Sequence, residues 1–192
     1  MSFAYIDESE RSGIYGRRYI LGATIPFSAS ERDSQREVMH NLLLPNKPKV
    51  HWYKAVNGHK QDIVNSVARL DLMHCVVTHD RRDGESSERA RSKCLALLAF
   101  EFEQLGVDFA VFESRGPALD RKDRSLLHNL RRRYGGSVGF KASHVVGARE
   151  PLLWIADAVC GAIGDSWQGN SEFRTTLAHQ LHVVATPGSV RN

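Results

Sequence analysis

Phe3-Ala4-Tyr5-Ile6-Asp7-Glu8-Ser9 is an apolar run that ends in two adjacent carboxylates. Strand alternation sends Phe3, Tyr5 and Asp7 to one face and Ala4, Ile6 and Glu8 to the other. Only one of the two acids can therefore face a given site. A carboxylate at the end of a buried strand is costly without a partner. Two readings stand here: the strand reaches water and turns at Asp7-Glu8-Ser9, or a cation such as a metal ion pairs with the acid.

Working outward, Glu10 to Gly13 reads as a polar turn, with Ile14-Tyr15-Gly16 in the same hairpin region. Arg18 to Ile25 is a second strand, stopped by Pro26. Strands this close in sequence favour antiparallel pairing. Ser28 and Ser30 are caps for a helix to about Leu44, ended by Pro45-Asn46-Lys47-Pro48. Lys49 to Lys54 is a short strand or an ordered loop. Ile63, Val64, Val67 and Leu70 give helical spacing over His59 to Asp71. Met73 to Thr78 is a buried strand ending at His79-Asp80. The helix Glu88 to Leu105 follows, stopped by Gly106. Asp108 to Glu113 is an apolar strand that again ends in a carboxylate. Helix, glycine and strand in that order mark a parallel crossover. A basic helix, Arg121 to Tyr134, is broken by Gly135-Gly136. Val138 to Val146 has room for a further strand. Glu150 to Gly164 is an apolar helix with Pro151 in its first turn. A helical piece near Phe173 to His179 and a strand at Leu181 to Ala185 complete the chain. The order predicts an α/β fold: a mixed central sheet, antiparallel in its first strands and parallel later, with helices on both faces.

The 192 residues, 42% hydrophobic and 25% charged, suit one domain over 1–192 with a full core. No apolar run approaches bilayer length, and Asp7-Glu8 interrupts any signal-like start. The cytoplasm is the expected location, with no membrane contact. Cys75, Cys94 and Cys160 are far apart and odd in number, as expected of buried reduced thiols. A net charge of +4 is compatible with an anionic partner without requiring one.

Asp7, His79-Asp80 and Glu113 each close a predicted strand, where α/β sheets carry their functional groups. Asp157 lies inside the apolar helix Leu152 to Ile163, where an unpaired charge would cost several kcal/mol. Gly161 and Gly164 share its face and would let that helix approach the sheet. Either a metal holds Asp157, or an Arg or backbone amide does. Asp123, like Asp120, opens the basic helix and is either a further ligand or a helix-dipole acid. Clustered carboxylates suit Mg²⁺ or Mn²⁺ and the chemistry of phosphodiester cleavage. His74, Cys75 and His79 do not all share one strand face, which disfavours a zinc site there. No phosphate-binding glycine loop or Gly-x-Ser-x-Gly elbow is present. Arg81-Arg82, Arg121-Lys122 and Arg131-Arg132-Arg133 are solvated faces or phosphate contacts. Trp52, Tyr53 and Tyr134 are core or surface aromatics, or stack on bases.

Tyr5-Ile6-Asp7-Glu8-Ser9 followed by Tyr19-Ile20-Leu21-Gly22-Ala23 resembles the opening of a large uncharacterised prokaryotic family. This is the domain of unknown function numbered thirty-eight hundred, regarded as ribonuclease H-like. Leu153-Trp154-Ile155-Ala156-Asp157 resembles its last helix. Val50-His51-Trp52 and Phe112-Glu113-Ser114-Arg115 resemble its actinobacterial branch. The resemblance implies a ribonuclease H-like fold with Mg²⁺ or Mn²⁺ held by Asp7, Glu113, Asp157 and a possible fourth acid, Asp123. Glu8 belongs to the motif, with either an accessory or a structural role. Beside the resemblance, His51 and His79, to position a phosphate or shuttle a proton, and Asp80, at its strand end, are candidate accessories. Two departures stand out. Glu10 replaces the glycine expected after Asp-Glu-Ser. Lys54-Ala55 stand where an acid is expected after His51-Trp52. The expected function is a metal-dependent nuclease acting on DNA, RNA or a hybrid. The alternative is an inactive module of the same fold that binds nucleic acid or a protein. Oligomeric state stays open.

Overall fold

Strand alternation in the first forty residues builds the centre of the molecule. The computed structural model describes residues 1–13, 16–134 and 138–187. β1 (Phe3–Gly13) and β2 (Gly16–Pro26) pair antiparallel, and β2 pairs antiparallel with β3 (Leu72–Arg81). β4 (Phe109–Glu113) joins β1 in parallel, β5 (Lys141–Val145) joins β4 in parallel, and β6 (Leu181–Ala185) joins β3 in parallel. The sheet order is β5-β4-β1-β2-β3-β6, mixed as the sequence predicts.

Helices cover both faces. α3 (Ser87–Gln104) and α4 (Pro117–Tyr134) lie on the face that receives Ala4, Ile6, Leu21, Cys75 and Phe112. α1 (Arg32–Asn41), α2 (Asn57–Val67), α5 (Pro151–Trp167) and α6 (Glu172–Thr176) lie on the face that receives Tyr5, Ile20 and Val76. α5 is buried along almost its whole length, as expected for a helix with no polar stripe. Its entry is fixed twice. The Glu150 carboxylate accepts from the Leu152 amide at 3.1 Å, and Arg36 forks onto Glu150 with two bonds of 2.9 Å. No described helix is long and apolar enough to cross a membrane.

Some boundaries differ from the sequence reading. Glu10 to Gly13 extend β1 instead of turning. Arg11 pairs with Asp165 at 3.8 Å, and Glu10 with Arg81, so charge pairs support strand beyond the apolar core. The hairpin connection at Ile14 and Tyr15 lies outside the described residues, as does the Gly135-Gly136 break. α4 begins at Pro117, ahead of the predicted Arg121, because Asp120 caps the Ser114-Arg115 bend: Ser114 Oγ donates to it at 2.7 Å and the Arg115 amide at 3.0 Å. Lys49 to Lys54 is a loop closed by a short 3-10 turn, Trp52–Lys54.

α5 crosses β2 at Gly22, directly beside Asp7 in the β1–β2 register. A Cβ at Gly22 would lie 2.6 Å from Cys160 Sγ and 3.7 Å from the Ala156 carbonyl oxygen. Gly22→Ala is therefore expected to destabilise by about 1–3 kcal/mol through overpacking. Adding Cys160→Ala should restore part of that loss. Thermal unfolding of the two single variants and the double variant measures the coupling. Simple additivity would show that the helix does not rest on Gly22.

Candidate carboxylate centre

Three elements deliver three acids to one place. Ile6 pairs with Phe112 in the parallel β1–β4 register, so Asp7 and Glu113 occupy the next row on neighbouring strands. Both share the α5 face with Tyr5 and Val111. Asp157 comes down from α5 close enough for its charge to act on Asp7. Asp7 lies within hydrogen-bonding reach of Glu113 and feels the charge of Asp157. Burial first, then these two carboxylates, push the Asp7 carboxyl well above its ordinary range. Asp7 is not at the end of β1, which continues to Gly13. It stands where β4 stops and is half-buried there.

Each acid has its own support. Asp157 Oδ2 accepts from the Trp52 amide at 2.9 Å and is also 2.9 Å from His51 Nδ1. A backbone amide does hold Asp157, as one sequence reading required. Glu113 Oε1 accepts from Lys49 Nζ at 2.6 Å. A Cβ on Gly147 would collide with the Glu113 carboxylate, so glycine there makes its room. Cys160 Sγ donates to the Asp7 carbonyl at 3.4 Å. Val50 and Trp52 are buried while Lys49 and His51 alternate with them and reach the acids.

Lys49 is the residue that sequence reasoning missed. Burial would lower its pKa, but Glu113, Asp7 and Asp157 outweigh that and keep it an ammonium. Three carboxylates against one ammonium leave an excess of negative charge. The available signal was its position two residues before His51, on the same side of the segment. Gly147 was missed too, and only the three-dimensional packing against Glu113 marks it.

Other expected residues lie elsewhere. Asp123 is buried on the opposite face of the sheet. Arg91 forks onto it at 2.9 and 2.7 Å, Arg115 donates at 3.1 Å and His144 Nε2 is 3.3 Å away. Burial alone would raise its pKa, but these partners hold it far below the usual carboxylate range. Glu8 faces the same way, accepting from the Tyr19 hydroxyl at 2.6 Å and pairing with Arg91. His79 is buried between Thr186 and Glu85, at 2.6 and 2.9 Å. Asp80 pairs with Arg18 at 2.6 Å. Its row on the sheet is Arg18–Arg11, four residues beyond the row of Asp7, or about 13 Å along the strands. The strand ends do not align, because β1 and β3 both overrun β4. Gly164 packs against Arg11 of β1 and so admits α5 to the sheet, as Gly22 does on β2, whereas Gly161 packs against Trp52.

The aromatic and basic residues also divide. Trp52 is a core residue whose Nε1 donates to Asp165 at 3.0 Å. Tyr134 packs edge-on against Phe100, whereas Tyr53, beside the loop of His51, is 77% exposed. Arg131 donates to the carbonyls of Val138 and Phe140. It sits with Arg132 and Arg133 where α4 returns to the amino end of β5, away from the acids at the carboxyl end of β4.

No family model matches the chain, and no curated protein matches it. A chain in the solved PCNA:RNase HII complex from Archaeoglobus fulgidus matches with a TM-score of 0.58 at 14% identity, over 86% of this chain and 72% of that one. The chain thus has a ribonuclease H-like fold.

Two variants separate the acids. In the folded state Asp7 holds its proton more tightly than in the unfolded chain, where its pKa is about 3.9. Its ionisation therefore costs stability as pH rises above that value, and the cost is absent below it. Without divalent metal, Asp7→Asn should raise the melting temperature near neutral pH, by about 2–4 °C for each kcal/mol relieved. The gain should vanish below about pH 4. A variant less stable than wild type at neutral pH would contradict this. Asp123→Asn should do the reverse, destabilising by about 3–5 kcal/mol because it leaves Arg91 and Arg115 undercompensated. Urea unfolding measures that loss.

Proposed function

We propose that the chain is a divalent-metal-dependent phosphodiesterase acting on nucleic acid, with Asp7, Glu113 and Asp157 as its metal-holding residues. The observation that carries this reading is their convergence from β1, β4 and α5 beside the ammonium of Lys49. An all-oxygen donor set fits a hard cation, Mg²⁺ or Mn²⁺, better than a soft one. Such a cation would polarise a phosphate oxygen and acidify an attacking water. The chain's own residues do the rest. The Trp52 amide and His51 fix the carboxylate plane of Asp157. Lys49 neutralises part of Glu113 and offers an ammonium to a phosphate oxygen. Tyr53, exposed beside this loop, is a surface for a base to stack on. The likeness to the uncharacterised family rests on the same Asp7 and Asp157 and supports the same reading.

One observation favours a second reading, a non-catalytic module that binds nucleic acid or a protein. Lys49 already sits 2.6 Å from Glu113 and is held charged by all three acids, as an internal cation would be. That ammonium competes with a divalent ion for the same carboxylates.

The deciding experiment offers labelled single- and double-stranded DNA, RNA and RNA–DNA hybrid with Mg²⁺ or Mn²⁺. Cleavage by wild type is expected, falling at least 100-fold in Asp7→Asn and Asp157→Asn, the lower end of what one catalytic electrostatic group supplies. Calorimetric titration with Mn²⁺ runs beside it. If wild type neither cleaves nor binds Mn²⁺ while Lys49→Ala binds it, the second reading stands. Cleavage that persists in both Asn variants would discard the proposed centre.

A further inference from the structure

A second group of metal-ligating side chains lies on the other face of the sheet, at its β6 edge. Cys75 on β3 and His182 on β6 are register partners in the parallel ladder, so their side chains leave the same face side by side. α3 passes over that face and lowers Glu101 onto them. One ligand atom from each, a thiol sulfur, a carboxylate oxygen and an imidazole nitrogen, all lie within 4.8 Å of one another. His182 Nε2 and Glu101 Oε2 are 2.8 Å apart. Burial is graded across the group: Cys75 is fully buried, the Glu101 side chain is 22% exposed and that of His182 is 46% exposed.

We propose that Cys75, Glu101 and His182 form a zinc site that clamps edge strand β6 to β3 and α3. Sulfur and imidazole donors select Zn²⁺ over Mg²⁺, the opposite preference from the all-oxygen centre around Asp7. Zinc bonds of roughly 2.0–2.3 Å put tetrahedral ligands roughly 3.3–3.8 Å apart. Small side-chain rotations at Glu101 and His182, both partly exposed, close the group to that size. Binding replaces the Cys75 thiol proton, which is released to water, and breaks the Glu101–His182 hydrogen bond as both turn to the ion. The outward side, at His182, leaves the fourth position to water. The place in the fold gives the site its purpose. β6 is a five-residue strand with one pairing partner among the described strands, and a bond from its second residue to two other elements would secure it.

The test uses the whole chain, freed of metal and then titrated with Zn²⁺ or Co²⁺. Native mass spectrometry is expected to find one zinc per chain in wild type and in Asp7→Asn. Co²⁺ should give a thiolate-to-metal charge-transfer band in the near ultraviolet. His182→Ala, at an exposed position that does not threaten folding, should weaken zinc by roughly tenfold or more, since even outer-sphere partners of zinc ligands are worth that much. Cys75→Ser should abolish the charge-transfer band. Zinc should raise the melting temperature of wild type and not that of His182→Ala. Absence of the thiolate band, or zinc affinity unchanged in His182→Ala, would overturn the proposal. So would zinc lost in Asp7→Asn but kept in His182→Ala, which would place the ion at the carboxylate centre. Should Cys75→Ser fail to fold, the wild-type Co²⁺ spectrum and His182→Ala still decide.

Discussion

Like charges brought together away from water repel, and the corner where β4 stops beside β1 is built around that repulsion. Asp7 cannot move away from Glu113, because the β1–β4 ladder sets the two strands in register. Asp157 cannot withdraw, because α5 is buried along its length and pinned by Cys160 against Gly22. The backbone thus holds three carboxylates at a separation they would not choose. The system responds in three ways. Asp7 takes up a proton more readily, Lys49 is kept as an ammonium, and Asp157 is satisfied by the Trp52 amide and His51. In the proposed reading, a divalent cation would relieve all of it at once.

The opposite face shows what a closed account of charge looks like. Asp7 and Glu8 are adjacent, yet alternation gives them different fates. Glu8 and Asp123 meet Arg91, Arg115, His144 and the Tyr19 hydroxyl, with Glu88 at the rim. There the guanidinium forks fill the carboxylate oxygens, and Asp123 stays ionised to far lower pH than usual. Such a network ties α3 and α4 to β1 and gives each buried carboxylate a cationic partner. The Asp7 corner has one ammonium for three acids. The balance of charge, more than the presence of acids, separates a structural cluster from a site.

That balance also explains what the sequence could reveal. The mixed sheet, antiparallel early and parallel later, followed from apolar runs and their spacing, and Asp157 announced itself as a charge in a helix with no polar face. Asp7 and Glu113 were legible as acids closing apolar strands. Asp123 looked equivalent because a string does not say which guanidinium on a neighbouring helix will reach it; Arg91, on α3, is 32 residues away from it in the chain. Asp80 failed for a different reason. Its strand end is real, but β3 overruns the row of Asp7, and strand offsets depend on register, which sequence leaves open here. Glu10 to Gly13 read as a turn because they are polar. They form strand because their partners, Arg81 and Asp165, are equally polar and distant in sequence.

Lys49 carries the most consequence for so little signal. It stands in a loop between α1 and α2, where no periodicity applies. What fixes it is the burial of its alternate neighbours. Val50 and Trp52 are sealed into the core, with Trp52 further tied to Asp165 and crossed edge-on by Phe173. Lys49 and His51 are left pointing back at Glu113 and Asp157. Gly161 is needed for this, since a Cβ there would strike the Trp52 ring. The loop is therefore an apolar anchor that aims two basic side chains, and the glycine on α5 serves that anchor rather than the sheet. The acids and the loop that tunes them are coupled through one helix: α5 supplies Asp157 on one turn and the seat for Trp52 on the next.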